Sequence, residues 1–469
     1  MRGRVALILA AGLSVGCTVG PNYKRPVTSI PPAFRAPAPL PPAQAASIAD
    51  LKWFVVFQDE KLQELIRTAL ERNYDLRDAV ARVEEARANL GITRSNQFPN
   101  FVGGANVEIN RLSRDGATPL PPAFLPNQNR NFGSAAVQLL SFEIDIWGRL
   151  RRATEAARAN LLSAQENRQA VVTTLVGDVA TAYLTLRELD YTLEISQRTL
   201  QTREQSLALT RSRQVGGVST LLDLRQAEQL VYTAAETIPT IQQQIEQTEN
   251  QIRLLLGLNP GTVPRGRSLT QQGFSPDVPA GLPSSLLQRR PDIRAAEQDL
   301  VAANAQIGVA RAAYFPQFSL TGALGGTSTQ LTSLFTSPQR THNLTPQAVV
   351  PIFTAGAIES NIHLTEAGRE RALIRYERTI QTAFKEVSDA LIAHQRVRES
   401  REKQELLVAA LEDRVRLAYL RYRGGVDTQL NALDADRDLF DAELNLAQIR
   451  LQELLSIVQL YKALGGGWQ

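Results

Sequence analysis

Apolar and polar residues recur along this chain with two different periods. In 317–325, Phe318, Leu320, Gly322 and Leu324 alternate with Gln317, Ser319, Thr321 and Ala323. In 343–352, Leu344, Ala348, Val350 and Ile352 alternate with Asn343, Thr345 and Gln347. Phe142, Ile144 and Ile146 alternate with Ser141, Glu143 and Asp145, and Ala105, Val107 and Ile109 with Asn106, Glu108 and Asn110. Period two predicts strands with one apolar and one polar face. We place them near 101–111, 132–146, 315–325 and 343–353. Between the strands of each pair run connections carrying Pro119, Pro121, Pro122 and Pro126, and Gly325 to Thr341.

Elsewhere the period is helical. From Gly148 to Gln214 there is no proline and one interior glycine, Gly177. At 1.5 Å per residue such a helix would reach about 100 Å. Val172, Val179, Leu186, Leu193, Leu200 and Leu207 repeat every seven residues, a coiled-coil seam. A later helix carries Ile238, Ile241, Ile245, Ile252 and Leu255, with Pro239 expected to bend it. The last carries Leu430, Leu433, Phe440, Leu444, Leu451, Leu454, Val458 and Tyr461. Long helices with narrow seams must pack lengthwise against other helices. The fold class is therefore mainly α with a small β component.

The pattern occurs twice. At an offset of 217, Asp75, Arg77, Gly91, Arg94, Phe98-Pro99 and Phe101 recur as Asp292, Arg294, Gly308, Arg311, Phe315-Pro316 and Phe318. At an offset of 208, Gly148, Gly216-Gly217-Val218, Thr220, Leu222 and Gly257 recur as Gly356, Gly424-Gly425-Val426, Thr428, Leu430 and Gly465. Two copies of about 200 residues read as a duplication, since a solenoid repeats in far shorter units. We assign 51–265 and 266–469 to the copies.

The first residues change the picture. Arg2 and Arg4 precede an apolar run, Val5 to Val15, too short to span a bilayer, and small residues lead to Cys17. This resembles a bacterial lipoprotein signal, with 1–16 removed and Cys17 lipidated. Thr18, where an Asp is associated with inner-membrane retention, implies sorting to the outer membrane. Residues 17–50, with eight prolines from Pro21 to Pro42, read as an extended tether. With an export signal in place, the alternating segments fit strands of a transmembrane barrel. Four strands cannot close one, and open edges are not tolerated in lipid. Two chains would give eight strands and three would give twelve; strand arithmetic does not choose.

Composition excludes much. Mean hydropathy is −0.18, and no apolar run approaches 18 residues. The 51 basic and 47 acidic side chains are interspersed along helices, a poor footprint for nucleic acid. Cys17 is the only cysteine, and His342, His363 and His394 are the only histidines. His363 and His394 lie almost nine turns apart and cannot share a metal. Asp434 and Asp436 point to different faces of one helix, so they make no carboxylate pair. We expect no catalytic residues, metal or cofactor.

Several motifs carry a family resemblance. Cys17 to Pro26 (CTVGPNYKRP), Gly217 to Glu228 (GVSTLLDLRQAE), Gln288 to Glu297 (QRRPDIRAAE) and Arg421 to Val426 (RYRGGV) resemble the TolC/OprM-type outer-membrane efflux factors, nearly end to end over the mature chain. The resemblance implies a homotrimer: one 12-stranded barrel in outer-membrane lipid, continuous with an α-helical coiled-coil tunnel through the periplasm. It implies the exit duct of a tripartite efflux system for drugs or other small solutes. Its partners would be a periplasmic adaptor and an inner-membrane pump of the resistance–nodulation–division class. The rival readings are a periplasmic coiled-coil scaffold or adaptor and a type I protein-secretion duct.

Two places stand out as sites. The Gly-Gly turns, Gly216, Gly217, Val218, Ser219 and Gly424, Gly425, Val426, Asp427, read as helix C-caps followed by new N-caps at Ser219 or Thr220 and at Asp427 or Thr428. By resemblance they are the tips where the adaptor docks. Leu430, Asp434 and Arg437 lie along one stripe of the last helix, with Arg423 before the turn. By resemblance these four form the periplasmic gate. The first copy has Leu222 but Gln226 and Gln229 in place of the charges, as expected if only the second hairpin moves.

Overall fold

The computed structural model describes residues 18–28, 30–36, 47–111, 129–273 and 283–467; Cys17 and the first strand connection, 112–128, lie outside them. The elements, in order, are α1 (Glu60–Arg72), α2 (Tyr74–Ser95), β1 (Phe101–Arg111), β2 (Asn129–Ile144), α3 (Arg149–Val215), α4 (Leu221–Leu255), α5 (Pro283–Arg289), α6 (Pro291–Ala312), β3 (Gln317–Ser328), β4 (Arg340–Val349), α7 (Ala357–Arg423) and α8 (Gln429–Ala463). α2 and α6 each have 22 residues, α3 and α7 have 67, and α4 and α8 have 35. Pro239 lies inside α4, which continues through it.

The chain falls into two compact units, each drawing on both halves of the sequence. The first comprises residues up to 26, Val83–Ser163 and Ala296–Arg375. Its sheet is antiparallel in the order β1-β2-β3-β4. The register pairs Val107 with Gly133, Phe101 with Leu139, Val137 with Leu324 and Gly322 with Leu344, which gathers the apolar residues on one face. The other face carries Asn106 opposite Ser134, Gln138 opposite Ala323, and Ser319 opposite Gln347. A register shift between Leu139 and Phe142 inserts one extra residue in β2. It is needed: Leu139 and Phe142 differ by an odd number, so a regular strand would send them to opposite faces.

Three strands differ from expectation in their limits, β2 starting earlier, at Asn129. β2 ends at Ile144 because the Asp145 carboxylate accepts the Leu150 and Arg151 amides (3.1 and 2.9 Å) and caps α3. β3 begins at Gln317, since Phe315 closes the last turn of the preceding helix and stacks on Trp147 (centroids 4.6 Å apart). It runs on to Ser328, leaving 329–339 as the connection. β4 covers Arg340–Val349 and stops before Pro351, which has no N–H for a ladder.

The expected tether is docked at several of its described residues. Arg25 pairs with Glu297 (2.6 Å), and Asn22 accepts from Arg152 (2.7 Å). In the second unit Phe34 is buried against Phe384, and Ser47 caps a 3-10 turn, Ile48–Asp50, inside the span read as extended.

The second unit comprises Val27–Arg82, Ala164–Ala295 and Tyr376 onward. Its core includes Leu62, Ile66, Tyr183, Leu184, Leu186, Ile195, Ile252, Ile293 and Tyr376. Buried Asp59 ties loops to it: its carboxylate accepts from Tyr183 Oη (2.9 Å), the Arg267 amide (2.9 Å) and Gln272 Nε2 (2.8 Å). The α3 seam departs from its heptad reading. Val179 and Leu186 are buried, but Leu193, Leu200 and Leu207 are only partly so. The buried residues there are Ile195, Ser196, Thr199, Arg203 and Thr210. A straight helix drifts about 20° per heptad against a 3.5-residue repeat, so five heptads carry the leucines about 100° off the contact.

Candidate functional site: the two helical tips

The α3–α4 turn is a Schellman motif. Gly217 has φ +75°, its amide donates to Gln214 O (3.0 Å), and the Val218 amide donates to Arg213 O (2.8 Å). Thr220 then caps α4, in a capping box with Asp223. The α7–α8 turn repeats this: Gly425 has φ +74°, Gly425 N donates to Tyr422 O and Val426 N to Arg421 O, both at 3.1 Å. Thr428 takes the cap position of α8 without a side-chain bond. The work falls to Asp427, which accepts from the Thr428 amide (2.8 Å), Asn431 Nδ2 (2.7 Å) and Arg421 Nε (3.0 Å). Arg421 first, then Asn431 and the amide, hold its carboxyl below the usual range.

A Cβ on Gly217 or Gly425 would meet open space, and Val218 and Val426 are exposed. Gly216 and Gly424 have ordinary φ and sit over the last carbonyls of their helices, while Ser219 is half-buried. Each tip therefore presents backbone and small apolar groups outward.

Of the four residues read as a gate, two meet: Asp434 and Arg437 pair at 3.4 Å, and Arg437 also reaches Asp438 (3.3 Å). Arg423 is exposed and forms no ion pair among the described residues. Leu430 is not a seam residue within the chain; it is 47% exposed, because the contact face of α8 there is Gln429, Ala432, Leu433 and Asp436. Leu222, its counterpart, is exposed too.

Sequence reading missed one feature beside these residues. Arg203 of α3 and Asp436 of α8 form a buried ion pair (2.7 Å; side chains 3% and 8% exposed). The available signal was Asp436 standing between Leu433 and Phe440 at seam spacing. His363 lies at the surface near Glu359 and Glu366, and His394 bonds Ser456 (3.0 Å), its pKa lowered by burial and then by Arg398.

Comparison with known proteins supplies the context. The sequence profile of the Outer membrane efflux protein family matches residues 65–258 and 282–466. The toluene efflux pump outer membrane protein TtgC of Pseudomonas putida is 37% identical over 471 residues, covering 99% of this chain and 95% of that one. The cation efflux system protein CusC of Escherichia coli is 35% identical over 456 residues, covering 97% and 96%. The open state of the Neisseria gonorrhoeae MtrE outer membrane channel superposes with a TM-score of 0.87 at 33% identity, covering 97% and 99%. The chain thus belongs to the outer membrane efflux protein family, and it is the outer-membrane exit duct of an efflux system, not an enzyme.

Proposed function

We propose that three copies assemble into one 12-stranded barrel whose lumen continues into a helical tunnel. The observation that carries this is the four-stranded sheet with one apolar face, one polar face and outer strands β1 and β4 that have no second neighbour among the described residues. In lipid those edges must be closed by further copies, and the family resemblance selects three. The paired helix lengths and the twofold motif series support descent of the two halves from a duplicated unit. Native mass spectrometry of detergent-extracted, heat-modifiable complexes should give three chains. A dimer, or a monomer soluble without detergent, would overturn the assembly.

The tips then have two roles. Gly216 to Ser219 and Gly424 to Asp427 dock a periplasmic adaptor, which joins the duct to an inner-membrane pump of the resistance–nodulation–division class. Leu430, repeated three times about an axis, makes an apolar constriction, and three Asp434 carboxylates around it repel one another. Arg437 offsets each within its own chain, and Arg423 is free to reach a neighbour. Exposed pairs of this kind contribute about 1 kcal/mol or less, which suits a gate that a docking partner opens. Acylation of Cys17 adds a lipid anchor to the barrel.

A further inference from the structure

The tip half of α3 meets the α7–α8 hairpin through polar groups, and these differ in charge. Nearest the tip, Gln429 Nε2 donates to Thr210 Oγ1 (2.6 Å) and Tyr422 Oη donates to Gln429 (3.2 Å). Next, the Ser206 and Tyr419 hydroxyls lie 3.3 Å apart. Beyond them sits Arg203. Its Nε donates to Asp436, its Nη1 donates to the Leu230 carbonyl of α4 (3.1 Å), and its guanidinium covers the Phe440 ring (4.9 Å). Its Nη2 is buried without a hydrogen-bond partner. Past this point α3 buries polar and apolar residues alike, Thr199, Ser196 and Ile195 among them, and Arg198 pairs with Glu443 of α8 (2.6 Å).

Asp434 and Asp436 of α8 are thus sorted by face. Asp434 is half-exposed and paired on its own helix, whereas Asp436 is buried and paired across to α3. Thr210, Gln429 and Tyr422 are as buried as the ion pair, but their hydrogen bonds are neutral and cost less to part, whereas parting a buried ion pair leaves two charges desolvated and unpaired. Arg203 also cannot follow α8 outward while it holds the Leu230 carbonyl of α4.

We infer that Arg203 and Asp436 form a fixed pin about which the α7–α8 tip swings, and that this pair positions Leu430 and Asp434 at the aperture without parting when the duct opens. The inference rests on the gate described above. Both are positioning residues, since neither lies on the stripe that meets the cargo. Lysine could keep the charge but not the fork that spans Asp436 and Leu230 O, so Arg203→Lys should restore position only in part.

Two reporters separate pin from tip. In an otherwise cysteine-free mature chain attached by its barrel, Thr210→Cys with Gln429→Cys should crosslink efficiently with a short reducible bifunctional thiosulfonate, and that crosslink should stop efflux until reduced. Adding Asp436→Asn should lower the crosslinking yield and raise resting single-channel conductance, each severalfold, with the heat-modifiable oligomer intact. Arg203→Lys should fall between. Arg203→Cys with Asp436→Cys should leak before crosslinking, then close again and still support efflux after it. Unchanged yield and conductance in Asp436→Asn, or efflux blocked by the 203–436 crosslink, overturns the pin. A lowered yield in a protein whose wild type forms no channel at all supports the pin and removes the duct assembly instead.

Discussion

Asp59 shows how much one carboxylate can organise when every oxygen is satisfied. Burial alone would push its pKa up, but donors from Gln272, Tyr183 and the Lys61 and Arg267 amides outweigh burial and leave it below its ordinary 3.8. A depressed acid contributes stability above its unfolded pKa and loses it as pH falls through the folded value. We therefore expect Asp59→Asn to cost on the order of 3 kcal/mol at neutral pH and to flatten the loss of helicity below about pH 4, measured by circular dichroism in detergent. Gly266→Ala should be at least as damaging, because its Cβ would run into that carboxylate. Leu430 and Asp434 belong to the same scale. Leu430→Ser with Asp434→Ala should raise single-channel conductance in planar bilayers and sensitise cells to vancomycin. The matching change at Leu222 and Gln226 should do much less, since that tip carries no Asp434–Arg437 equivalent. Wild-type conductance in both double variants would make Asp434 an ordinary surface acid.

Among elements, the turns separate two uses of glycine. Gly217 and Gly425 need the left-handed conformation, so any side chain there is strained by about 1 kcal/mol. A Cβ at either would meet nothing within 4 Å. Tryptophan at either position should thus leave the oligomer and barrel intact while abolishing efflux by blocking the docking surface. Efflux unchanged with Trp at both would remove the docking role, whereas a lost oligomer would assign these glycines to folding alone. The β2 bulge is the strand counterpart. Deleting one residue from Leu140-Ser141 would leave Leu139 and Phe142 two apart, both on the apolar face of a regular strand, and should preserve membrane-inserted protein in fractionation.

For the whole molecule, the proposed barrel and the proposed acyl chain would be separate attachments. Labelled palmitate should enter wild type and not Cys17→Ala, while Cys17→Ala still sediments with outer membranes, because a closed barrel needs no lipid anchor to stay inserted. Equal labelling of both would remove the lipidation. Cargo leaves little trace in such a duct, whose apolar and polar faces are set by lipid on one side and water on the other. A toluene pump component and a cation system component share comparable identity with this chain.

The sequence by itself determined whatever depends on local period and local backbone chemistry. Alternation at Phe318 to Leu324 determined a strand, a proline-free run determined a 67-residue helix, and Gly-Gly followed by Thr220 or Thr428 determined a C-cap and a new start. Those patterns are read within a few residues of one another. The tertiary structure alone decided which face of each long helix is covered. Heptad leucines on α3 rotate away from the contact, Leu430 turns outward, Arg423 stands apart from Asp434, and Arg203 and Asp436 meet across 233 positions of chain. Burial is a property of the neighbour as much as of the residue. A charge at a seam position announces only that something must meet it, and the packed helices supply what.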